Sequence, residues 1–159
     1  MNGHGGNAGA ISDALGKLRA EGRRGHVWHA GVRPSMLAAA RAMPAARGGG
    51  PTGPGDGERP GRPGAAPVPD AHAGRVETSL MLALAPGDVR LGDAAAGQTR
   101  PLPEIMAELR AGGVRRVSPN GVLGDPAGAS AAEGEALLAL LAADLAATLA
   151  RLAGPPGPA

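Results

Sequence analysis

A chain of 159 residues is long enough for one domain with its own core. Yet 28 glycines, 16 prolines, a single Trp and no Phe or Tyr leave mostly small and aliphatic side chains to fill it. The net charge is only +2, Arg23-Arg24 and Arg115-Arg116 are pairs rather than a stripe and lack stacking aromatics, and no cysteine is present; a nucleic-acid partner, disulfides, thiolate metal sites and a cysteine nucleophile are therefore not expected.

The opening Asn2-Gly3-His4-Gly5-Gly6-Asn7 holds an imidazole among residues that let the backbone approach a ligand closely. A neutral ring nitrogen there suits a metal ion or a proton. Over residues 7–20, Ile11, Ala14, Leu15 and Leu18 recur at spacings of three and four, which predicts a helix with Asn7 as N-cap and Gly22 at its end. Residues 26–30, His26-Val27-Trp28-His29-Ala30, read as a short strand, with both histidines structural or exposed. From 44 to 69 fifteen of 26 residues are Gly or Pro, the composition of a flexible surface insertion.

Order is expected again from Asp70. Residues 76–85 predict a helix that stops at Pro86, and 89–91 the start of a strand. A helix over 104–110, closed by Gly112-Gly113, leads to a further strand at 114–117 and a turn-rich stretch at 119–128. Ser130 and Glu133 have capping-box spacing, and leucines at 137, 138, 141, 145, 149 and 152 give the last helix one apolar stripe. The run 136–152 has Glu135, Asp144 and Arg151 in or beside it and falls short of an uncharged span, so no membrane segment is expected. The N-terminal residues lack a basic segment followed by an apolar run, and the expected location is the cytoplasm.

Chemistry concentrates in two segments: the His4 loop and Asp70-Ala71-His72-Ala73-Gly74-Arg75-Val76-Glu77-Thr78-Ser79. The second flanks His72 with a carboxylate two residues before and another five after. Glu77 falls in the first turn of a helix, where unpaired amides and the dipole favour an ionised group. His4, His72 and Glu77 would meet if both loops lie at the carboxyl ends of neighbouring strands. The alternative is a pair of surface loops with carboxylate caps and a solvated histidine.

These segments resemble the creatininase family of metal-dependent amidohydrolases, most of all its mycofactocin-system branch. The likeness continues through Asp88-Val89-Arg90, Ala96-Gly97-Gln98-Thr99, Pro101-Leu102-Pro103-Glu104, Val117-Ser118-Pro119 and Gly121-Val122-Leu123-Gly124-Asp125-Pro126. The resemblance implies an α/β fold, a three-layer α/β/α sandwich that assembles into homo-oligomers, with a divalent metal (zinc, iron or manganese) in its site. It implies hydrolysis of an amide or peptide bond, in this branch removal of a C-terminal dipeptide from a modified precursor peptide. Cyclic-amide hydrolysis or deformylation of a small molecule is the alternative within the family, and a catalytically inactive remnant with a subunit role the alternative outside it.

Carried onto this sequence, the resemblance makes His4 and Glu77 metal ligands and His72 the proton-transfer residue. Asp70 becomes its orienting or substrate-contacting carboxylate, and Gly5, Gly6 and Asn7 the substrate-facing loop. Some relatives carry a ligand glutamate two residues after the first histidine, where this chain has Gly6. The Glu-x-His-Gly segment and bridging aspartate of the family's N-terminal half have no counterpart here. Residues 1–159 are accordingly expected to be the C-terminal portion of such a domain, with the insertion at about 44–69.

Overall fold

The structure, a computed structural model, describes residues 7–43 and 70–153. The insertion at 44–69 and the positions of His4, Gly5 and Gly6 lie outside the described residues. Among the described residues six α-helices follow one another: α1 (Ala8–Ala20), α2 (Pro34–Ala42), α3 (Arg75–Leu84), α4 (Leu102–Gly112), α5 (Val114–Val117) and α6 (Ala131–Ala153). Single 3₁₀ turns at Pro86–Asp88 and Leu91–Asp93 link α3 to α4.

Helix α1 ends where expected, with Gly22 at φ +72°. Asn7 occupies the N-cap position but is itself helical in backbone and makes no capping bond from its side chain. Leu15 and Leu18 of α1 are half-buried, and the chain folds back over them at Gly25, where a Cβ would sit 2.8 Å from Leu15. Helix α2 starts at Pro34, whose fixed φ and missing N–H suit a first turn. It buries Met36 and Ala40.

Helices α3 and α6 form the closest pair in the fold. Gly134 of α6 faces the α3 backbone so tightly that a Cβ there would lie 1.9 Å from the Ser79 carbonyl oxygen. Leu137 and Ser79 are fully buried in this contact. A second, smaller core gathers Ile105 of α4, Val117 of α5 and Leu123, with Leu109 packed against them.

The expected sheet does not form among the described residues, where strand pairing is confined to isolated bridges, one of them antiparallel between His72 and Leu123. Residues 26–30 and 89–90 are not regular strand, and 114–117 is the helical turn α5 rather than a strand. Three to five apolar residues do not distinguish a strand from a helical turn by periodicity. Here Gly113 at φ +72° launches the new turn, and the N–H of Ser118 closes it on Val114 O at 2.8 Å. What remains of sheet-like pairing is irregular: Leu123 exchanges backbone bonds with His72, while Gln98 N–H reaches Val122 O and Gly97 N–H reaches Gly124 O.

The capping box at α6 is realised in half. Ser130 Oγ accepts the N–H of Glu133 at 3.2 Å. The Glu133 side chain does not return to Ser130; that N–H donates instead to Ser79 Oγ. Burial explains the exchange, because Glu133 is drawn inward by Arg41 Nε at 2.9 Å and Arg75 Nε at 2.6 Å. Helix α6 has 23 residues and a mean hydropathy of 1.8 over its most apolar window, long and apolar enough by composition to cross a membrane. Glu133 and Asp144 on the same helix are bonded to arginines of this chain.

Candidate functional site

The segment from Asp70 to Glu77 wraps the N-terminus of α3. His72 is fixed by its backbone, donating to and accepting from Leu123 at 3.1 and 2.8 Å. Ala73 then takes φ +54°, a left-handed conformation that a residue with a Cβ seldom adopts. That reversal lets Gly74 serve as N-cap with its own N–H and those of the first turn still needing acceptors. Asp70 meets that need, and Glu77 ties down the amide just before the cap. Asp70 Oδ2 accepts from Val76 N–H at 2.6 Å, and Glu77 Oε2 accepts from Ala73 N–H at 2.7 Å.

The same Glu77 oxygen stands 3.3 Å from His72 Nδ1. A proton on Nδ1 is favoured by this neighbour, which leaves Nε2 as the ring's acceptor. Both side chains are more than half exposed, at 62% and 51%. Asp70 as a residue is exposed, but its carboxyl is tucked against Gly74, where a Cβ would meet Oδ1 at 2.5 Å. Desolvation, foremost, and then the charges of Glu77 and Glu133 push this carboxyl above the usual carboxylate range, against the pull of the Val76 and Gly74 amides. The carboxylate beside the imidazole is Glu77, and an imidazole held at one ring nitrogen keeps the other for proton transfer.

Asp70 and Glu77 line one wall of a cleft of about 570 Å³. The opposite wall comes from α2 and the residues before it, with Val32, Pro34 and Leu37 apolar and Arg33 and Arg41 charged. Arg41 also borders a second cleft of about 440 Å³, together with Arg75 and Glu133. Nothing in the periodicity of the sequence flagged this wall. Pro34 followed by Met36 and Leu37 was the available helix signal, and the link from α2 to Glu133 spans 92 residues.

Of the residues singled out in the sequence, the structure brings Asp70, His72 and Glu77 together on one turn. Asn7 stands exposed at the start of α1. Among the described residues no three His, Asp or Glu side chains gather as a metal site. His72 and Glu77 amount to two donors, where a catalytic zinc ordinarily takes three protein ligands. The described residues alone therefore do not fit a metal ion, and none of the chemistry derived from them passes through one.

The conserved pattern of the creatininase family, described as creatinine amidohydrolase, matches residues 1–149 of this sequence. The chain belongs to the creatininase family. Creatininase-family relatives named mycofactocin precursor peptide peptidase are similar over nearly all of it. The protein of that name from Mycobacterium tuberculosis (strain ATCC 25618 / H37Rv) is 40% identical over 151 residues, 95% of this chain and 47% of the relative. That from Mycolicibacterium smegmatis is 38% identical over 139 residues, 87% of this chain and 42% of the relative. The Mycobacterium ulcerans protein is 37% identical over 158 residues, 99% of this chain and 49% of the relative. The chain thus spans about half the length of the curated relatives it matches. No solved structure matches it.

Proposed function

We propose that this chain serves a creatininase-family hydrolase of amide or peptide bonds, whose substrate is a modified precursor peptide of the mycofactocin type and whose product is a C-terminal dipeptide. The observation that carries the reading is the turn that holds His72 against Glu77, where Glu77 and Asp70 line a cleft of about 570 Å³. In this reading Glu77 holds the Nδ1 proton of His72, and Nε2 takes a proton from the attacking water and returns it to the leaving nitrogen. Asp70 orients the turn through Val76 and contacts the substrate. The proposal includes a divalent metal, zinc, iron or manganese, with Glu77 and His4 among its ligands; His4 lies outside the described residues. It also includes homo-oligomeric assembly and a cytoplasmic location, with neither nucleic acid nor membrane as partner.

One observation favours a second reading, a non-catalytic subunit role: Asp70 and Glu77 are both engaged in capping α3. Mass spectrometry of the modified precursor peptide after incubation with the chain separates the two. Release of a two-residue C-terminal fragment, lost in His72→Gln while the melting profile stays intact, supports hydrolysis. No release, or release that His72→Gln leaves unchanged, overturns the catalytic assignment of this turn.

A further inference from the structure

We propose that Arg41 is a specificity-determining residue that binds a carboxylate of the substrate in the larger cleft. The inference rests on the peptide-hydrolase reading for the identity of the ligand, but its geometry stands separately. Glu133 is almost wholly buried, with a side chain only 4% exposed, and it is shared by two guanidinium groups, Arg41 on one oxygen and Arg75 on the other. Two cations on one carboxylate leave a positive charge in excess. Burying such a group is tolerable only when the excess is met by solvent or by an anion.

The bond to Glu133 uses the Nε–H of Arg41. A guanidinium carries five N–H donors in a planar fork, and among the described residues Glu133 is the side-chain partner of this one. Its side chain remains 44% exposed and borders both clefts. The bond to Glu133 fixes one edge of the guanidinium while the side chain stays partly exposed in the cleft wall, so little side-chain freedom is lost when a bidentate anion arrives. Nearby acids do not meet that edge. Across the cleft Asp70 accepts the Val76 amide and one Glu77 oxygen accepts the Ala73 amide beside His72; the carboxylate paired with Arg41 among the described residues is Glu133. Arg33, one helical stripe away, is paired with Asp144 at 2.7 Å. Apolar side chains of Val32, Pro34 and Leu37 frame the space between, the setting in which a planar carboxylate is preferred over a hydrated inorganic anion.

The test is equilibrium binding, read without turnover, so that absence of cleavage and absence of carboxylate recognition are distinct results. A fluorescent five-residue peptide with one internal glutamate and a free C-terminus is titrated by anisotropy, beside its amidated form, its glutamine form and the form lacking both carboxylates. Wild type is expected to bind the diacid about tenfold or more tightly than the form lacking both. Arg41→Gln should erase that preference, whereas Arg24→Gln, an exposed arginine outside the cleft, should keep it. Loss on amidation alone identifies the terminal carboxylate, and loss on the glutamine change alone identifies a side chain. Arg41→Lys, which keeps a charge against Glu133 but not the fork, should lose most of the preference and covers the case in which Arg41→Gln fails to fold. No binding by wild type, equal binding of all four peptides, or a preference that survives in both Arg41 variants overturns the proposal.

Discussion

Replacing Gly134 by alanine sets two effects of opposite sign against each other. Inside a helix alanine is favoured over glycine by about 1 kcal/mol. At Gly134, however, the new methyl would sit 1.9 Å from Ser79 O and 2.9 Å from the Ala83 Cβ. The first obstacle is backbone, which does not rotate away, so α3 and α6 must part by about 1.5 Å or more to restore ordinary contact. Overpacking of that kind costs about 1–3 kcal/mol, and separating the helices also loosens Leu137, which is fully buried between them. A backbone obstacle at 1.9 Å places the cost at the upper end of that range, and subtracting the helix-propensity gain of about 1 kcal/mol leaves a net loss of about 2 kcal/mol, several degrees in Tm for a chain of this size. Gly16 in α1 supplies the control, since a Cβ there meets nothing within 4 Å; Gly16→Ala should stabilise by up to about 1 kcal/mol. Both variants are compared by urea and thermal unfolding followed by circular dichroism. If Gly134→Ala is as stable as wild type, or gains like Gly16→Ala, the close approach of α3 and α6 does not hold the fold and the argument fails.

Leu137→Ala should cost about 2–5 kcal/mol in the same unfolding assay, because no solvent reaches that side chain and its removal leaves a cavity. The two perturbed aspartates predict opposite pH behaviour. Asp70 is raised above 3.8 by desolvation, so the folded chain binds its proton more tightly and stability falls as pH rises through the window above that value. The Tm of Asp70→Asn relative to wild type should therefore improve as pH rises above 3.8 and show no such trend below it. Asp144 is held low by the hydrogen bonds from Arg33 and then Trp28. Its stabilisation is complete above 3.8 and lost as pH falls through the depressed value, so Asp144→Asn should lower Tm at neutral pH and converge on wild type in acid. Convergence at neutral pH, or divergence in acid, would contradict the assignment.

Local signals were legible in the sequence and long-range ones were not. Glycine stops with positive φ, proline starts and leucine spacing located α1, α3, α4 and α6 to within about two residues, because each depends on neighbours in the chain. The strand readings at 26–30, 89–91 and 114–117 relied on short apolar runs, whose state is decided by what pairs with them. Asp70, His72 and Glu77 lie within eight residues, and their grouping on one turn follows from that spacing. Arg41 and Glu133 are 92 residues apart. Nothing local marks Arg41, and capping-box spacing gives Glu133 a local role that its buried ion pairs displace.

His72 has no helix or strand of its own to ride on; its backbone is tied to Leu123, and Leu123 belongs to the Ile105 and Val117 cluster. The imidazole is in effect mounted on a distant core by two hydrogen bonds. Its bearing therefore records the packing of α4 and α5, and the Leu123 amide, which donates to His72 O, is a natural hydrogen-exchange gauge of whether that mount is intact. A cavity opened at Ile105 would register first as faster exchange at this amide and a wandering His72, with the first turn of α3 still capped by its own carboxylates.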